Sequence, residues 1–145
     1  MATLYLSLLF LHFVGLALGL GTGFASLRLG MVAKELPPDE RAKFMMRASE
    51  LRKNGSLGLA LLLLSGLAMF FVRGPALVMA WGGPALHAKL TLVVILCGVF
   101  GYMQVVGKKV REAGGGPLMG RLVKLSMAML ALTLLTVLCA VIAFK

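Results

Sequence analysis

Ala85-Leu86-His87-Ala88-Lys89-Leu90, running on through the apolar stretch from Thr91 to Val106, is the segment on which the reading of this chain turns. It sets a histidine and a lysine in the first turns of a segment long enough to cross a bilayer. Ionisable groups are expensive in hydrocarbon, so they mark a site by default. The chain has 2 histidines. The other, His12, also lies inside an apolar run, so the first functional question is whether the two meet. Along the segment His87, Thr91, Val94, Gly98 and Gly101 repeat at spacings of four and three and share one helical face. Lys89, two residues after His87, points about 200° away from it at 100° per residue.

Working outward, composition sets the class. Of 145 residues 60% are hydrophobic and 14% charged, more apolar surface than a water-soluble domain of this length hides. The expected fold is an all-α integral membrane protein, an up-down bundle of four transmembrane helices in the lipid bilayer. Its spans cover about residues 4–27, 56–72, 85–106 and 122–144. A net charge of +10 raises nucleic acid as a partner, but the bases flank apolar runs and form no stripe interleaved with aromatics, so no nucleic acid is expected. Cys97 and Cys139 lie inside spans without a paired spacing and read as small apolar residues. The methionines read as packing.

The first span lacks the basic leader of a secretory signal at Met1-Ala2-Thr3 and is expected to be retained. On it, Gly15, Gly19 and Gly23 recur every four residues, with His12 just before them. Small residues at this spacing admit either a neighbouring helix or a flat ligand. Pro37-Pro38-Asp39-Glu40 is a helix start. It opens an amphipathic cytoplasmic segment over about residues 38–53 that lies on the membrane or extends the next span. Asn54-Gly55 reads as a stop or hinge. Arg73-Gly74-Pro75 ends the second span, and Met79 to Pro84 reads as a turn with Trp81 at the interface. Gly114-Gly115-Gly116-Pro117 is a turn rich in breakers. In the last span Ser126, Thr133 and Thr136 can bond to their own helix backbone.

The bases set the orientation. Arg28, Lys34, Arg41, Lys43, Arg47, Arg52 and Lys53 crowd the first loop, and Lys108, Lys109, Arg111, Arg121 and Lys124 the third. The second loop holds only Arg73. The positive-inside rule puts loops one and three in the cytoplasm and both termini outside. His12 then lies roughly 12 Å below the outer surface and His87 about 5 Å below it, at 1.5 Å per residue.

Leu11-His12-Phe13-Val14-Gly15, Leu27-Arg28-Leu29 and above all Leu86-His87-Ala88-Lys89-Leu90 resemble the HemJ-type protoporphyrinogen oxidases, and part of the pattern resembles the CopD-like copper-resistance domain. The order of spans is similar over nearly the whole chain. The resemblance implies a bacterial cytoplasmic membrane and a b-type heme, with His12, His87 and Lys89 as its signature residues. The chain departs from the family at Ala85, where tryptophan is usual, and at Leu125-Ser126-Met127-Ala128, where the family has Asn-Glu-x-Pro. These departures bear on oxidase chemistry more than on heme binding.

Three functions stay open. The chain is a heme b protein, either an electron carrier or a divergent porphyrinogen oxidase. It would use His12 and His87 as metal ligands, with Gly15, Gly19 and Thr91 leaving room for the macrocycle and Lys89 facing a carboxylate. Alternatively it is a structural or accessory subunit, a homo-oligomer or part of a larger membrane complex, whose histidines only bond across helices. The third option is a copper or proton carrier.

Overall fold

The computed structural model describes residues 2–113 and 118–143, and nearly all of them are helical. Helix α1 spans Ala2–Val32, α2 Pro38–Ala48, α3 Arg52–Arg73, α4 Pro75–Glu112 and α5 Leu118–Ala143, with 3-10 turns at Ala33–Glu35 and Ser49–Leu51. Four of these helices are long and apolar enough to cross a membrane, and the protein is an all-α four-helix bundle of integral-membrane type. Among the described residues few side chains are buried, while Val94, Leu64 and Phe10 are each about two-thirds exposed. Apolar surface turned outward in this way suits lipid, not water.

Helices α1 and α3 form one antiparallel pair and α4 and α5 the other. The pairs join chiefly through α1 against α5, while α3 touches α4 only lightly. Helices α1 and α4 are therefore diagonal. The crossing of α1 and α3 is backbone on backbone. A Cβ built on Gly15 would sit 2.8 Å from the Gly58 carbonyl oxygen, and one on Gly58 would sit 2.8 Å from both the Gly15 oxygen and the Gly19 nitrogen. Gly23 makes its close approach to Leu130 of α5 instead. Without a hydrophobic drive in lipid, such close contact is what holds helices together. The C-terminal end of α4 and the N-terminal end of α5 close over Met103, Val106, Val110 and Leu122.

Several expectations shift. Asn54-Gly55 does not stop a helix, since α3 runs through it and Thr22 packs on Gly55. Helical structure already resumes at Pro75, after Gly74 (φ 87°), so the turn expected over Met79 to Pro84 narrows to a break within that range. The helical course is broken only at Gly83 (φ 50°, ψ −154°), a conformation glycine adopts without strain. Pro84 follows, with no N–H to carry the ladder on. Helix α2 does begin at Pro38 and buries none of its residues. Arg41 on α2 reaches back to the end of α1, where Nε donates to the Ala33 carbonyl at 2.8 Å and Nη2 to those of Lys34 (2.8 Å) and Leu36 (3.1 Å). The Ala33 carbonyl also accepts from the Leu36 N–H at 3.4 Å, and Arg41 adds donors where the helix ladder runs out. Ser126, Thr133 and Thr136 bond to carbonyls one turn back, as expected. The Gly114 to Pro117 turn, the Trp81 side chain and the end of the fourth span at Phe144 lie outside the described residues.

The glycine crossing generates a prediction. Gly58→Val places methyl groups where α1 has backbone and should cost about 1–3 kcal/mol of bundle stability. Gly98→Ala, where a Cβ meets nothing within 4 Å, should leave stability unchanged or slightly raised. Thermal unfolding of both variants in detergent checks the contrast.

Candidate functional site

The α1–α3 crossing sets His12 against the middle of α3. Residue by residue the two helices run antiparallel, from Arg73 4.7 Å over the Tyr5 ring at one end to Thr22 on Gly55 at the other. His12 meets Ser65 between these points. Its Nδ1 lies 3.0 Å from the Ser65 oxygen, and its ring has room because residue 66 is glycine. A Cβ there would stand 3.3 Å from the His12 Cε1.

Counting protons fixes the tautomer. Ser65 is 3% exposed, and its hydroxyl donates to the Leu61 carbonyl at 2.5 Å. A hydroxyl has one proton, so Ser65 accepts from His12. The His12 Nδ1 therefore carries hydrogen and Nε2 keeps its lone pair. His87 has the same form for a different reason. Its Nδ1 is 3.0 Å from the Gly83 carbonyl oxygen at the break in α4, and a carbonyl can only accept.

The two imidazoles are placed differently. His87 is exposed, as are Thr91, Val94, Gly98 and Gly101, so the whole face that the sequence marks as the ligand side of α4 is turned out of the bundle. Thr91 spends its hydroxyl on the His87 carbonyl. The inward seam is a different one. Lys89, Leu96, Met103 and Val110 recur every seven residues, and the last three are buried, as is Leu86. Lys89 is half-buried on that seam, within electrostatic reach of His12. The fold thus brings His12 onto Ser65, with Lys89 within electrostatic reach of the ring. It does not bring His87 to His12, because a helix orientation that turns Lys89 inward turns His87 outward.

The glycines also separate. Gly15 is buried by the α3 backbone, which fills the space a flat ligand would need there. Gly19 has open space beyond its own Cα on the side where a Cβ would project. Ser65 and Gly66 were not singled out in the sequence, although a serine–glycine pair inside the apolar run from Leu57 to Val72 is the available signal. The seven-residue recurrence starting at Lys89 was likewise present in the sequence. Cys97 and Cys139 are free and half-buried. Among the described residues no three His, Cys, Asp or Glu side chains gather as a metal-binding group.

Chemically, the site offers one imidazole, held by a serine, and one ammonium. Such a pair can bind a metal through nitrogen, accept a proton, or hold an anion. Replacing Ser65 by Ala should free the His12 ring. Nitrogen NMR of histidine-labelled protein should show the Nδ1–H form in the wild type and mixed tautomers in the variant. The stability cost should be about 0.6–1.7 kcal/mol, the range for such bonds between membrane helices. No family model matches the chain, and neither a curated protein nor a solved structure does.

Proposed function

We propose that this chain is a heme b-binding protein of the bacterial cytoplasmic membrane, an electron carrier or a divergent porphyrinogen oxidase of the kind its His-x-Lys motif resembles. The observation that supports this reading is the pairing of an oriented, half-buried imidazole at His12 with Lys89 in electrostatic reach. A hydrogen bond to the far ring nitrogen fixes the tautomer and orientation of a ligating histidine, and Ser65 makes that bond. A lysine opposite it suits a propionate or porphyrin carboxylate. The residues fit a group held by one imidazole and one ammonium. They do not fit a pair of imidazoles within one chain, since His87 is exposed. When bound, heme would supply one-electron chemistry whose potential follows axial ligation and burial. The protein's own part is to hold the imidazole, balance the carboxylate charge and exclude water with the apolar bundle.

A second reading has its own support. The exposed α4 face of His87, Thr91, Val94, Gly98 and Gly101 carries polar and small residues of a kind lipid does not require. Small and polar side chains are what membrane helices use against each other. This favours an accessory subunit of a larger membrane complex, or a homo-oligomer.

Reduced-minus-oxidised spectra of detergent-purified protein, expressed with ample heme, separate the two. The heme reading expects sharp b-type bands that vanish in His12→Ala and weaken in Lys89→Met while insertion holds. It expects the bands to survive in His87→Ala, with an altered position at most. A colourless wild type promotes the subunit reading.

The orientation belongs to the same proposal. With loops one and three in the cytoplasm, His12 faces the outer half of the membrane. A reporter inserted near Gly115 should read as cytoplasmic and one after Lys145 as external. The reverse result places the site in the inner half.

A further inference from the structure

The other end of the bundle holds a second polar arrangement, built around Arg52, the first residue of α3. Its Nε donates to the Ser49 carbonyl at 3.3 Å. Its Nη1 is buried and has no hydrogen-bond partner among the described residues. A buried guanidinium nitrogen without an acceptor is costly, because the charge keeps its desolvation penalty and receives nothing for it. The position is nevertheless shaped for it. Gly107 of α4 lies directly under the guanidinium, so that a Cβ there would collide with Nη1 and stand 3.1 Å from Cζ.

An open cleft of about 420 Å³ lies beside this contact, and Arg52, Arg111, Lys53, Ser56 and Gln104 line it. Its neutral groups are already ordered. Gln104 donates from Nε2 to the Ser56 oxygen at 2.9 Å, and Ser56 donates to the Arg52 carbonyl at 3.1 Å. The only carboxylate in the lining, Glu50, is exposed, paired with Lys53, and within electrostatic reach of Arg52 and Arg111. Arg111 stands within electrostatic reach of Arg52. Glu50 eases the repulsion between these two guanidinium groups, but its salt bridge is to Lys53; their forked donors are left to match phosphate oxygens. The level is also right. The apolar run of α3 begins at Leu57 and that of α4 ends at Val106, so the cleft sits where spans meet headgroups.

We propose that this cleft binds a phosphate group between Arg52 and Arg111, with the headgroup of an anionic phospholipid as its source. Basic pockets between membrane helices at this level hold such headgroups. A soluble phosphate compound offers the same chemistry, and the test distinguishes the two. The site shares no residue with the His12 cluster and stands or falls independently of it.

The test uses the full chain in detergent, with phosphatidylglycerol, phosphatidylcholine or inorganic phosphate added. Retained lipid is read by native mass spectrometry and stability by thermal shift. Phosphatidylglycerol should be retained and should raise the melting temperature, while phosphatidylcholine should do neither. Arg52→Gln and Arg111→Gln should each lower phosphatidylglycerol retention about fivefold, the worth of one basic residue near a charged headgroup. Gly107→Ala should do the same by pushing the guanidinium aside, with helix content unchanged. Because it keeps every charge, it remains informative if Arg52→Gln folds poorly. Lys43→Gln, which removes an exposed charge on α2, should have no effect. Equal losses in Lys43→Gln and Arg52→Gln, or full retention in Gly107→Ala, would overturn the site. Inorganic phosphate matching the lipid's effect at equal concentration would keep the phosphate site and overturn the lipid as its source.

Discussion

Backbone contact between Gly15 and Gly58 is the constraint on which the His12 half of the bundle depends. Two helices can approach this closely only where neither carries a side chain, and in lipid the approach itself supplies the attraction. Once that crossing is fixed, the antiparallel register follows along both helices. Tyr5 falls under Arg73, His12 beside Ser65, and Thr22 against Gly55. The polar contact at His12 is thus a consequence of a glycine contact one turn away. Ser65 then settles which nitrogen of the ring carries the proton.

Rotation of a single helix decides which ionisable groups share the interior. Helix α4 is seated by Leu96, Met103, Val106 and Val110, whose close packing against its neighbours outweighs any preference of the shorter polar stretch after Pro84. That seating carries Lys89 inward and His87 outward. A lysine on a packed seam keeps its stem among apolar neighbours while its ammonium seeks a polar partner. His87 meanwhile satisfies one nitrogen on its own backbone at the Gly83 break. The two ends of the motif thus serve different surroundings, one outside the bundle and one within it.

The basic end of the bundle follows a different logic. There the chain concentrates its bases, and most of them are solvated. Arg52 is the exception because the turn at Ser49–Leu51 delivers it to α4, where a missing side chain at Gly107 receives it. Arg41 makes the comparable move on the other side of the same loop, but against carbonyls that satisfy it. One arginine closes a helix end and the other is left with an unspent donor.

By itself the sequence determined the class of the molecule. Apolar runs of spanning length can only be helices in a bilayer, since every backbone polar group has to be satisfied within its own segment. It also marked Pro38 as a helix start and Gly74 as a boundary, because proline and glycine restrict or free the backbone locally. It pointed to His12, His87 and Lys89 through the cost of placing such groups in hydrocarbon. What it left open was everything that depends on one helix meeting another. The face of His87, Thr91, Gly98 and Gly101 was legible as a face, but whether it turned in or out was set by the competing seam of Lys89, Leu96, Met103 and Val110. Gly15 was legible as a place of close approach, yet only packing decided that α3 would occupy it. The partner of His12 lay 53 positions along the chain at Ser65, a separation that only the packing of α1 on α3 could close.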